Sequence, residues 1–120
     1  MKPFVSPHVH QSSIDSASVP QDFIDREIQL GTGYTTVTDH GYMGACREVY
    51  DLARKNKLKP ILGVEGYFFD PDDRVLKRFG IEGKEALKEY VGNYYHITLH
   101  FRTQKAYELA CKLLSRADDR

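Results

Sequence analysis

Two imidazoles stand one residue apart near the start of the chain, in the segment SPHVHQ, residues 6–11. In an extended segment, residues i and i+2 point to the same side, so His8 and His10 aim at one small volume. Other ionisable residues fall in comparable places. Asp39 and His40 close the stretch YTTVTDHG, Glu65 interrupts the apolar run KPILGVEGYFF, and His96 sits within YYHITLHF. Taken singly, each has an ordinary explanation. A histidine can finish a loop, Glu65 can pair with a lysine, and Asp39 can cap the turn that follows it. A carboxylate in a buried strand is nevertheless costly to desolvate unless it is paired or ligates a metal. Recurring at the same end of four strand-like segments, the set points to metal coordination. Mixed imidazole and carboxylate donors suit zinc, manganese or iron, whereas calcium and magnesium prefer oxygen alone. More donors than one ion needs implies two or more ions. Paired ions about 3.5–4 Å apart are a common device for phosphoryl hydrolysis, in which they activate a water and clamp developing charge.

The elements that must position these residues alternate between strand and helix. A strand is expected over Pro3–His10, followed by a polar turn. A helix follows, with Ser18 or a neighbour as N-cap, Pro20 at an early position and Asp22 in the first turn. Phe23, Ile24, Ile28 and Leu30 give it an apolar face, and Gly31 or Gly33 can end it. The second strand is YTTVTDHG. A second helix, from about Ala45 to Lys57, repeats apolar residues at Cys46, Val49, Tyr50 and Ala53. KPILGVEGYFF reads as a buried third strand, in which Gly63, Glu65 and Tyr67 share the inward face. DPDDR breaks it, and GIEGKEALKEYVGN reads as a short polar helix. In the fourth strand, Tyr95, Ile97, Leu99 and Phe101 form an apolar face opposite Tyr94, His96, Thr98 and His100. A last helix runs from about Thr103 to Ala117, with Tyr107, Cys111 and Leu114 at helical spacing. Such alternation predicts an α/β fold of parallel β/α units.

The 120 residues carry 17 basic and 17 acidic side chains. The overall field of such a chain does not attract nucleic acid, which basic domains do, so bound ions must supply positive potential where a phosphate meets it. There is no apolar run long enough for a membrane helix and no signal-peptide pattern at the start. The two cysteines, Cys46 and Cys111, fall in predicted helices among apolar neighbours, which suits buried thiols in a reducing compartment. A cytoplasmic protein with no membrane partner is expected.

The segments HVH, DSAS, TDHG, KPILGVEGYF, YYHITL and AYELACKLLSRA, in this order, resemble the polymerase and histidinol phosphatase (PHP) domain. The nearest version is the one at the N-terminus of bacterial or phage DNA polymerase III α subunits. The resemblance covers nearly the whole chain. It implies a distorted (β/α)7 barrel with up to three metal ions, of which residues 1–120 form a single N-terminal portion that lacks the last strands. Matched by motif, the implied ligands are His8, His10, Asp15, His40, Glu65 and His96. Among them His8, His10, His40 and Glu65 act in catalysis through the water their ions activate. Asp39 belongs to the TDH motif but is not carried over as a ligand. The family's later ligands, a cysteine or histidine and then Asp-x-His, lie beyond Arg120, and neither Cys46 nor Cys111 matches them. The implied role is a metal-dependent phosphoesterase within DNA replication, such as a 3′–5′ proofreading exonuclease. DNA or another phosphoester would be its substrate, and the rest of a polymerase polypeptide or a barrel-completing segment its partner. A scaffold domain without activity and a stand-alone phosphatase are the alternatives. An amidohydrolase-type barrel also carries His-x-His, but the TDHG and GVEGY pair argues against it.

Overall fold

A computed structural model of the chain describes residues 5–68 and 95–118. The expected break at DPDDR and the short helix after it lie outside those residues. Among the described residues three helices, α1 (Pro20–Leu30), α2 (Ala45–Lys55) and α3 (Gln104–Asp118), accompany three strands, β1 (Tyr34–Val37), β2 (Lys59–Phe68) and β3 (Tyr95–His100). With the helices they make a mixed α/β structure, and the strands form one sheet in the order β1-β2-β3. β1 and β2 are parallel, with Tyr34 opposite Lys59 and Val37 opposite Leu62. The chain divides into two compact units, residues 1–65 with 98–120, and residues 66–97.

α1 starts on Val19, which has no side-chain oxygen to offer as a cap. Asp22 does that work, accepting the Val19 N–H on Oδ2 at 3.2 Å, and Pro20 takes the first helical position, where its missing N–H costs nothing. Gly31 closes the helix in the left-handed conformation, at φ 64°, which only glycine adopts freely. Ile24 is fully buried, whereas Ile28 and Leu30 are exposed. Leu30 lies six residues after Ile24, or about 240° around the helix, so the two cannot share a face.

α2 is the central helix. Its Cys46 and Val49 pack with Val37 and Ala45 against Met43, Leu62 and Tyr107. Further along, Ala53 joins Ile24 and Leu58 in a second cluster. The helix stops at Lys55, short of the expected Lys57, because Lys57 itself adopts φ 59°, which no α-helix can continue through. Tyr50 was expected on the apolar face but is exposed. α3 begins one residue after Thr103, whose Oγ1 accepts the Ala106 N–H at 3.1 Å, and Ala110 is its most buried residue.

Two expected strand features differ. Residues 5–10 form no regular strand. The Thr38 N–H still donates to the Val9 carbonyl at 2.7 Å, but the Val9 N–H donates to the Thr38 hydroxyl at 2.9 Å. A side chain has taken the acceptor role of a backbone carbonyl, so no ladder propagates. In β3 the expected apolar face is open, with Tyr95 64% exposed and Ile97 and Leu99 each 40% exposed. Among the described residues β3 ends the strand order.

Candidate metal centre

The first compact unit gathers most of the chemistry. After β1, Thr38, Asp39 and His40 continue alongside β2. Glu65 N–H donates to the Asp39 carbonyl at 3.0 Å, and Gly41 N–H donates to the Glu65 carbonyl at 2.7 Å. His40 and Glu65 thereby form an isolated parallel bridge. Glu65 is 4% exposed, as its place in an apolar run requires.

His8 and His10 reach this carboxylate from the other direction, across 57 and 55 residues of chain. His8 Nε2 lies 3.1 Å from Glu65 Oε2, His10 Nε2 lies 2.9 Å from the same oxygen, and the two nitrogens are 2.9 Å apart. With Glu65 as an ionised carboxylate, protons do not satisfy that triangle. If both imidazoles donate to the carboxylate, two N–H groups face each other at 2.9 Å. If one gives up its proton to accept from the other, it has nothing left to offer Glu65. A cation among three lone pairs satisfies all three edges at once. Tetrahedral zinc with bonds of 2.0–2.1 Å holds its donor atoms about 3.3 Å apart, close to the observed edges. His8, His10 and Glu65 form a group able to hold a metal ion.

The outer nitrogen of His10 is also held. Asp15 Oδ2 lies 2.9 Å from His10 Nδ1 and accepts the His40 backbone N–H at 2.8 Å. A carboxylate on Nδ1 keeps the proton there and leaves Nε2 with its lone pair toward the triangle. Asp15 thus sits at the rim, joined to both His10 and His40. The His40 ring stacks beside the His10 ring, with centroids 6.3 Å apart and planes 25° from parallel. His96 lies on β3 in the second unit, edge-to-face with Tyr67 at 5.3 Å.

Asp39 does not cap the turn that follows it. Its Oδ1 accepts the backbone N–H groups of Gln11 and Ser12, at 2.7 and 2.9 Å, residues that directly follow His10. Gln11 is as deeply buried as Asp39, and sequence reasoning passed over it. A glutamine beside a polar turn carries no periodicity that would mark it as internal.

Cys46 is a buried thiol whose Sγ donates to the Gly63 carbonyl at 3.6 Å. Desolvation first, and the charge of Asp39 second, push its pKa up to about 12. It therefore stays protonated at neutral pH and does not offer a thiolate to a metal. On the native chain Cys46 is expected to resist iodoacetamide at pH 8 and to react once the chain is denatured. Peptide mapping that finds Cys46 alkylated in the folded protein would contradict this. A cavity of about 660 Å³ lies between Cys46, Tyr50, Leu62, Phe101, Arg102 and Tyr107. Among the described residues its walls hold no imidazole or carboxylate.

Among the described residues no helix is long and apolar enough to cross a membrane. Residues 6–120 match the family model of the PHP domain. DNA polymerase III subunit alpha of Helicobacter pylori is 30% identical over 118 residues, which cover 97% of this chain and 9% of the relative. The subunit of the same name from Saccharopolyspora erythraea is 31% identical over 128 residues, covering 96% and 11%. The PolC-type DNA polymerase III of Clostridium perfringens is 35% identical over 63 residues, covering 52% and 4%. The chain thus spans about a tenth of the length of the α subunits it matches from end to end.

Proposed function

The chain belongs to the PHP domain family, and on that premise we propose that it is the metal-dependent phosphoesterase module of a DNA polymerase III α-type protein, trimming DNA from the 3′ end. The observation that carries the reading is the triangle of His8 Nε2, His10 Nε2 and Glu65 Oε2. These three residues would hold one ion. By the motif match alone, Asp15, His40 and His96 are the proposed ligands of one or two more. Zinc or manganese bound there supplies Lewis acidity toward a phosphoryl oxygen and a nucleophile drawn from water at neutral pH.

The chain's own residues prepare that chemistry. Asp15 fixes the tautomer and ring plane of His10 and ties His40 to it. Glu65, drawn deep into the sheet, gives both imidazoles one shared anionic partner. With 17 basic side chains balanced by 17 acidic, attraction of a phosphodiester falls to the ions rather than to the protein surface. In this reading the chain is the first part of a distorted (β/α)7 barrel, works in the cytoplasm, and is completed by the remainder of a polymerase polypeptide.

The test is release of 3′ nucleotides from single-stranded DNA with manganese added. Alone, the chain is expected to release them slowly or not at all. Supplied with the rest of the barrel, covalently or in trans, it is expected to release them in a manner blocked by chelator and abolished by His8→Ala with His10→Ala. Bound metal without turnover in the completed barrel would replace this reading with a scaffold role.

A further inference from the structure

His10 is held from both sides by contacts that owe nothing to a β-ladder. Upstream, Val9 exchanges three hydrogen bonds with Thr38, two of them through the threonine hydroxyl. Downstream, one oxygen of Asp39 accepts both the Gln11 and the Ser12 N–H groups. The Gln11 side chain then reaches along β1, donating from Nε2 to Thr35 Oγ1 at 3.0 Å and to the Thr36 carbonyl at 2.7 Å. Asp39 and Gln11 are each 1% exposed. Two amides on one ionised oxygen make charge-assisted bonds, stronger than a neutral acceptor would form. Oδ1 of Asp39 has both lone pairs engaged by the two amides, while its Oδ2 is buried and makes no hydrogen bond among the described residues.

The geometry points to Asp39, assisted by Gln11, as a positioning residue of the metal centre. It fastens the backbone after His10 to the end of β1, so that the His8 and His10 donor atoms stay on the Glu65 oxygen, and it is not itself a ligand. This rests on the metal-binding reading above. The mechanical reason is the missing first strand. Residues 5–10 lack the ladder that would set their register, and His8 Nε2 and His10 Nε2 must nevertheless hold their 2.9 Å separation to within a few tenths of an ångström to share an ion.

The experiment titrates the full chain with Co²⁺, read by its visible absorption, and with Zn²⁺ in competition, for the wild type, Asp39→Ala, Asp39→Asn and Gln11→Ala. Asp39→Ala is expected to weaken zinc binding by about 10- to 100-fold and to alter the Co²⁺ bands. Asp39→Asn keeps an oxygen for the two amides and is expected to keep the wild-type bands, with affinity nearer the wild type. Gln11→Ala is expected to shift the bands in the same sense as Asp39→Ala but less. A purely structural Asp39 would lower stability and leave the Co²⁺ spectrum of the folded fraction unchanged, which would overturn the inference. Loss of metal in Asp39→Asn as complete as in Asp39→Ala would make Asp39 a ligand and overturn it too. If circular dichroism shows Asp39→Ala unfolded, Gln11→Ala decides: altered bands support the clamp and wild-type bands refute it. A wild-type chain that takes up no metal overturns the metal-binding reading together with this one.

Discussion

Glu65→Gln is expected to lower the affinity of the chain for zinc or manganese about a hundredfold, while leaving the metal-free protein as stable as before or slightly more so. Oε2 of Glu65 is the corner shared by both imidazoles, and the substitution removes its charge while keeping its shape. A hundredfold loss corresponds to about 2.7 kcal/mol, a modest share of what an anionic ligand contributes in a buried site. The opposite effect on the metal-free chain follows from burial. An ionised carboxylate at 4% exposure carries a desolvation cost that a neutral amide does not. Thermal melts separate the two. At a metal concentration of about 100 times Kd, binding adds about 2.7 kcal/mol of stability, so the wild type should melt higher with zinc and the variant should not respond at the same concentration. Calcium should not substitute, since imidazole is a poor ligand for it. Equal metal content in wild type and variant by elemental analysis would remove Glu65 from the centre.

Gly63→Ala is expected to destabilise the fold by about 3 kcal/mol, toward the upper part of the range for overpacked cores, and to lower the melting temperature by roughly 10–20 °C. A Cβ at this position would lie 2.5 Å from the Leu99 carbonyl oxygen, 2.9 Å from Thr38 Cγ2 and 3.1 Å from His100 Nδ1. The closest of these atoms belongs to the backbone of β3 and cannot swing aside. Relief requires β2 and β3 to move apart, against the bond from Phe101 N–H to the Leu62 carbonyl at 2.8 Å. Gly63 is two residues from Glu65 and shares its side of the strand, so the strain would reach the metal centre as well. Gly66→Ala is the control. A Cβ there meets its nearest neighbours, Cγ2 and O of Ile97, at 3.9 Å, an ordinary contact. Urea midpoints that are the same for the two variants would show that β2 and β3 separate easily.

How far the sequence reached differs from element to element. The cores of α1, α2 and α3 and the positions of β1, β2 and β3 were legible because periodicity, proline, glycine and β-branching act on the chain locally. The stop of α2 was missed by two residues, because nothing about Lys57 as a residue type announces its positive φ. The side-by-side pairing of His8 and His10 was anticipated from a strand that does not form. It holds because an extended backbone alternates its side chains whether or not a ladder forms beside it.

By itself, then, the sequence showed the alternation of elements and the family to which the chain belongs, and it pointed to residues whose chemistry would suit a metal. Each of these follows from residue type and short-range spacing. Only the tertiary structure decided that Glu65 meets both histidines on a single oxygen, that Asp15 takes the far nitrogen of His10, and that Asp39 looks back to Gln11 and Ser12 rather than forward to its own turn. It also decided that Gly63 is needed where β2 passes β3. These contacts join groups that are as far as 57 residues apart along the chain. Their geometry is set by how the sheet and its flanking loops close on one another, and no local pattern records that closure.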